Sequence, residues 1–89
     1  MKTHVTLKGV KASPELDGRL AALEQRVAEA MPDARFAKFV VEDSAVTRAV
    51  GLVVSLADGD TWVRHAHGGD WEKAFLELDR RLDRFEQES

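Results

Sequence analysis

The strongest constraint in this 89-residue chain lies near its end, where Trp71, Phe75, Leu78, Leu82 and Phe85 recur at spacings of four, three, four and three. That rhythm follows the 3.6-residue turn of an α-helix and gathers the apolar side chains into one stripe, which must be buried against something. A second stripe precedes it, made of Leu16, Leu20, Leu23, Val27 and Ala30/Met31. It starts behind Ser13-Pro14, an N-cap hydroxyl followed by proline at the first helical position, and Pro32-Asp33 ends it. Gly18 sits inside this helix and weakens it by about 1 kcal/mol relative to alanine. Two helices with one apolar side each need a shared surface to cover.

The remaining segments supply that surface. Thr3 to Lys8 alternates, with Thr3, Val5 and Leu7 facing one way and His4, Thr6 and Lys8 the other, the period of a strand. Arg35 to Glu42, Val46 to Ala57 and Thr61 to His67 read as three more strands, separated by turns at Asp43-Ser44 and Asp58-Gly59. Gly68-Gly69-Asp70 breaks the sheet and places Asp70 to cap the last helix. The order β-α-β-β-β-α predicts an α+β fold over residues 1–89, a single domain. It is a two-layer sandwich, a four-stranded sheet with both helices on one face and the other face open.

The Asp58-Gly59 hairpin admits two registers. A two-residue turn places Val50, Leu52, Val54 and Leu56 on the same face as Val63, His65 and His67. A three-residue turn with a glycine bulge places them with Trp62, Arg64 and Ala66 instead. The second concentrates apolar side chains under the helices and is the one expected. The first would leave an aliphatic open face, the kind of surface that meets a partner.

Several chemistries fall away. The chain has no cysteine, so disulfides, thiolate nucleophiles and Cys-ligated zinc are excluded. The longest apolar run, Ala49 to Leu56, is far below the ~18–20 residues of a membrane span. Met1-Lys2-Thr3-His4-Val5 offers no apolar signal core, so a cytoplasmic protein is expected. His65 and His67 share one face of a strand, but a metal site needs a third ligand. They are expected to be solvated, with no metal and no other cofactor. Ser13 is a cap, Ser44 lies in a turn, Ser55 is mid-strand and Ser89 is terminal, and no nucleophile elbow, phosphate loop or H-E-x-x-H occurs. No enzyme is expected.

Charge is more informative in its placement than in its total. There are 13 basic and 16 acidic residues, a net charge of -3, so a nucleic-acid site has to be a local patch. On a helical wheel of the last helix, with Trp71 at zero, Glu72, Asp79, Asp83 and Glu86 gather near ~60–120°. Lys73, Arg80 and Arg84 gather near ~180–220° and Arg81 near ~280°, interrupted by Glu77. Such a basic stripe can track phosphates. It can also be a solvated face with i,i+4 pairs such as Glu77–Arg81. Trp71 belongs to the apolar stripe, and the face of Trp62 depends on the hairpin register.

Taken with the element order, the segments H-V-T-L-K-G-V, S-P-E-L, D-G-D-T-W, H-G-G-D-W-E-K-A-F and R-R-L-D-R-F resemble the ribosome hibernation-promoting factor family, which includes the ribosome-associated inhibitor. The resemblance spans the whole chain and is to the short form, without the extra dimerisation domain of longer members. It implies a double-stranded-RNA-binding-like fold and a non-catalytic factor that binds the small ribosomal subunit and its RNA in the tRNA/mRNA channel, idling translation under stress. Lys8, Arg26, Arg81 and Arg84 match basic positions of the family, and Asp70 matches an acid before the second helix. Ala22, Leu23 and Glu29 stand where the first helix is usually lysine, Glu72 where it is usual to find tyrosine, and Leu76 aspartate. The resemblance together with the basic stripe nominates Lys8, Arg26, Lys73, Arg80, Arg81 and Arg84 for RNA phosphates. The alternative is a protein-interaction or homodimerisation module of the same fold, joined through the open sheet face and no longer binding the ribosome.

Overall fold

Six elements form in the expected order: β1 (Lys2–Lys8), α1 (Pro14–Ala30), β2 (Ala34–Asp43), β3 (Arg48–Leu56), β4 (Thr61–Gly68) and α2 (Trp71–Glu88). The structure, a computed structural model, describes residues 1–44 and 46–88, so Ser89 lies outside it. Strand order is β1-β2-β3-β4. β1 runs parallel to β2, and α1 provides the crossover that a parallel pair requires. β2, β3 and β4 continue as an antiparallel meander.

The caps are where the sequence puts them. The Ser13 hydroxyl accepts from the Leu16 amide at 3.1 Å, and the Asp70 carboxylate accepts from the Lys73 amide at 2.8 Å. Gly18 is exposed, with open space where a Cβ would go. Gly18→Ala should therefore stabilise the protein by about 0.5–1 kcal/mol, through helix propensity and a less flexible unfolded chain. A denaturant titration comparing midpoints at equal slope checks it.

The hairpin resolves into the three-residue turn. Leu56 donates its amide to the Asp60 carbonyl at 2.9 Å, and Gly59 takes a φ of 94°, a left-handed conformation that glycine adopts without strain. Val54 then pairs with Trp62, Leu52 with Arg64 and Val50 with Ala66. This register turns the aliphatic ladder inward. Both helices cover that side, where Leu16, Leu20, Leu23 and Val27 of α1 and Phe75, Leu78 and Leu82 of α2 join Ala37, Phe39 and Val41 of β2 in one core. Trp62 is buried with them, while Trp71 is half-buried at the core's edge.

β3 is shorter than the valine-rich run suggested. Val46 is 92% exposed, and the Ser44 hydroxyl donates to the Thr47 carbonyl at 3.0 Å, so these residues form a turn and the strand starts at Arg48. Gly68, which pairs with Arg48 at this same end of the sheet, is a point of close approach. A Cβ there would lie 2.9 Å from the Lys73 Cβ and 3.1 Å from the Ala74 amide nitrogen, so glycine lets α2 begin directly against β4.

Candidate nucleic-acid interface

The cations of α2 do not share one environment. The wheel's acidic side points at α1, where Arg26 donates to Asp83 at 2.6 Å and to Glu86 at 2.7 Å, with Glu29 3.7 Å away. The hydrogen bond to Glu86 holds the Arg26 guanidinium above its ordinary value, burial opposes it, and the charges of Glu86, Asp83 and Asp79 add to it. Arg26 thus ties the two helices together and stands apart from any solvent-facing basic patch. Leu23, where the family resemblance would lead one to expect lysine, is a core residue here.

Asp79 lies in the same inter-helix region. Burial raises its carboxyl above the usual range, Arg26 works against that, and Asp83 reinforces it. A carboxyl whose folded-state value is raised favours the folded state at low pH and loses that contribution as pH climbs through the folded-state value. Asp79→Asn should consequently raise the melting temperature at neutral pH, with the gain closing on acidification into the carboxylate range. Thermal melts across that pH range test this.

On the opposite side of α2 a groove of about 670 Å³ opens against β4, lined by Trp62, Arg64, Arg81, Arg84, Phe85 and Glu88. Its floor is aromatic: Trp62 and Phe85 meet edge to face with centroids 6.1 Å apart. The Arg64 guanidinium lies 4.8 Å from the Trp62 ring centroid and donates to the Val63 carbonyl at 2.7 Å. Arg81 donates to Glu77 at 3.1 Å, the pair anticipated from the i,i+4 spacing. Arg84 is exposed and holds no ion pair among the described residues. Three guanidiniums thereby converge on one aromatic-floored groove, a geometry suited to forked contacts with phosphate oxygens.

The six nominated cations divide accordingly. Arg81 and Arg84 come together in the groove. Arg80 lies on the exposed part of α2 beside it, 3.9 Å from Glu77, while Lys73 is exposed in the first turn of α2, against Gly68 and at the far end of the helix from the groove. Lys8 lies at the far edge strand, on the open sheet face opposite Glu42. Arg64 was not anticipated. Its only sequence signal is an arginine at an inward position of an edge strand, next to a tryptophan, which becomes readable once the hairpin register is known. His65 and His67 do share a strand face, and no group of three or more His, Cys, Asp or Glu side chains able to hold a metal occurs among the described residues. Among the described residues no helix is long and apolar enough to cross a membrane.

No family model matches the chain, and no curated protein sequence matches it. Solved structures do. A ribosomal subunit interface protein from Coxiella burnetii superposes with a TM-score of 0.71 at 18% identity, over 98% of this chain and 99% of that one. The N-terminal domain of Protein Y from Thermus thermophilus gives 0.72 at 17% identity, over 99% and 94%. At such low identity the likeness is one of architecture: this chain has the α+β fold of those two proteins, the fold that its resemblance to the hibernation-promoting factors implies.

Proposed function

We propose that this protein is a non-catalytic, ribosome-binding regulator that contacts the RNA of the small subunit and idles translation by occupying the tRNA/mRNA channel. The observation that carries the reading is the convergence of Arg64, Arg81 and Arg84 on one groove, in a chain that shares its fold with a ribosomal subunit interface protein. Phosphate contacts from these arginines, with Arg80 alongside and Lys73 further along the helix, fix position without reading sequence, as a factor that acts by occlusion needs. The net charge of -3 requires an oriented approach to an anionic particle. The fold provides it by turning Asp83 and Glu86 toward Arg26 and the cations of α2 away.

The protein-interaction or homodimerisation reading rested on the acidic balance and on an aliphatic open face. The observed register sends that ladder into the core, so the second support is gone and the first remains. Co-sedimentation with purified small subunits over a salt series tests the ribosome reading. Binding that falls steeply as salt rises is expected, with each phosphate contact contributing a slope of roughly 0.7–0.9 in the log–log plot. No sedimentation at the lowest salt would refute it.

A further inference from the structure

The sheet face left bare by the helices carries a charge pattern opposite to that of the whole molecule. Strand alternation and register place Lys2, His4 and Lys8 of β1, Lys38 of β2, and His65 and His67 of β4 on it. These include all three histidines of the chain. The one carboxylate among the paired positions of this face is Glu42, across from Lys8. Three lysines against one carboxylate make +2 in a chain of total charge -3, leaving -5 for the rest. None of the three lysines holds an ion pair among the described residues.

Flat and apolar groups lie among these charges. Phe36 is 38% exposed and Val63 41% exposed, both on this face. Gly51 has no side chain where its cross-strand partner His65 lies, and a Cβ at Gly51 would sit 3.0 Å from the imidazole Nδ1. The glycine lets this ring fold down over the strand with its other side toward solvent. A glycine inside a strand often marks close approach of a neighbour, and here the neighbour is a ring.

We propose that the open sheet face is a second nucleic-acid surface, one that takes single-stranded RNA. Phosphates meet the lysines, and unstacked bases lie on Phe36 and the imidazoles, the ring types on which single-stranded bases stack. A second copy of this chain is disfavoured, because like-charged faces would oppose each other. A duplex is disfavoured too, since its bases are closed to a flat ring-bearing surface. The inference extends the RNA-binding reading without needing the arginine groove, which opens on the other side of β4.

Fluorescence anisotropy with a labelled single-stranded RNA dodecamer, competed by a duplex of equal length, tests it. Lys38→Glu alters an exposed residue and should weaken single-strand binding about tenfold or more, lowering the salt slope by roughly 0.7. Gly51→Ala, which displaces the His65 ring, and Phe36→Ala should each weaken it several-fold, with circular dichroism spectra unchanged. Retention of full affinity by all three variants would overturn the proposal, as would an equally effective duplex competitor. A wild-type chain that ignores the dodecamer yet sediments with small subunits would overturn it while leaving the ribosome reading intact. Loss of single-strand binding in Arg81→Glu/Arg84→Glu alone would assign the RNA to the groove and reject the sheet face. Wild-type self-association abolished by Lys38→Glu would mark the face as a dimer interface and reject it equally.

Discussion

Arg81→Glu/Arg84→Glu should reduce affinity for the small ribosomal subunit by about two to three orders of magnitude near physiological salt, with no loss of fold. Both side chains line the groove beside Trp62, and neither is part of the buried core. Reversal removes two phosphate contacts and sets two carboxylates against the same phosphates, and the salt slope should fall by roughly 1.5–2. Arg81 surrenders its exposed pair with Glu77, and pairs of this kind contribute only about 0.3–0.5 kcal/mol. Arg26→Ala is the informative control. It removes the contacts to Asp83 and Glu86 that join the helices, so it should lower the melting temperature while leaving subunit binding near wild type. Co-sedimentation and a thermal melt on the same preparations separate the two effects. Equal binding by the double variant and the wild type would remove the groove from the mechanism, and lost binding in Arg26→Ala would return that residue to it.

The contrast between Arg26 and Arg84 shows how far a sequence carries such a site. Both are helical arginines surrounded by acids in sequence, and only the packing of α1 on α2 gives one of them two carboxylates of the other helix and leaves the other exposed. The helices and their caps were legible because their signals are local: stripes at three and four, a serine before a proline, an aspartate before a tryptophan. The hairpin was legible up to one residue of turn length. That residue decides whether Arg64 and Trp62 or His65 and His67 face the helices, because a slip of one exchanges the two faces of a strand. The open basic face was hidden for another reason. Lys2, Lys38 and His65 are far apart in sequence and come onto one face only through the pairing of all four strands, to which alternation within each strand is blind. Val46 shows the converse error, an apolar residue read into a strand that the turn at Ser44–Thr47 leaves in solvent.

Phe39→Ala should be the most damaging single substitution for the fold, and Phe36→Ala, three residues earlier on the same strand, should be nearly silent. Phe39 is 0% exposed and sits mid-strand on the helix side, between Val5 of β1 and Leu52 of β3. Truncating a buried phenylalanine costs about 3–5 kcal/mol, through lost transfer free energy and a cavity that relaxes only in part. A domain of this length has roughly 4–13 kcal/mol in all, so the variant should melt at least about 12 °C lower and be partly unfolded at 37 °C if the wild type lies at the lower end. Phe36 is on the other side of the sheet and 38% exposed, so its truncation should shift stability by less than about 1 kcal/mol. The pair therefore measures the two-layer architecture directly, because one phenylalanine holds the helices to the sheet and the other looks away from them. If Phe36→Ala proved as destabilising as Phe39→Ala, the face would be covered in solution and could not be open to RNA. A silent Phe36→Ala that still weakens single-strand binding requires the opposite, that the ring is kept on the surface for what lands on it.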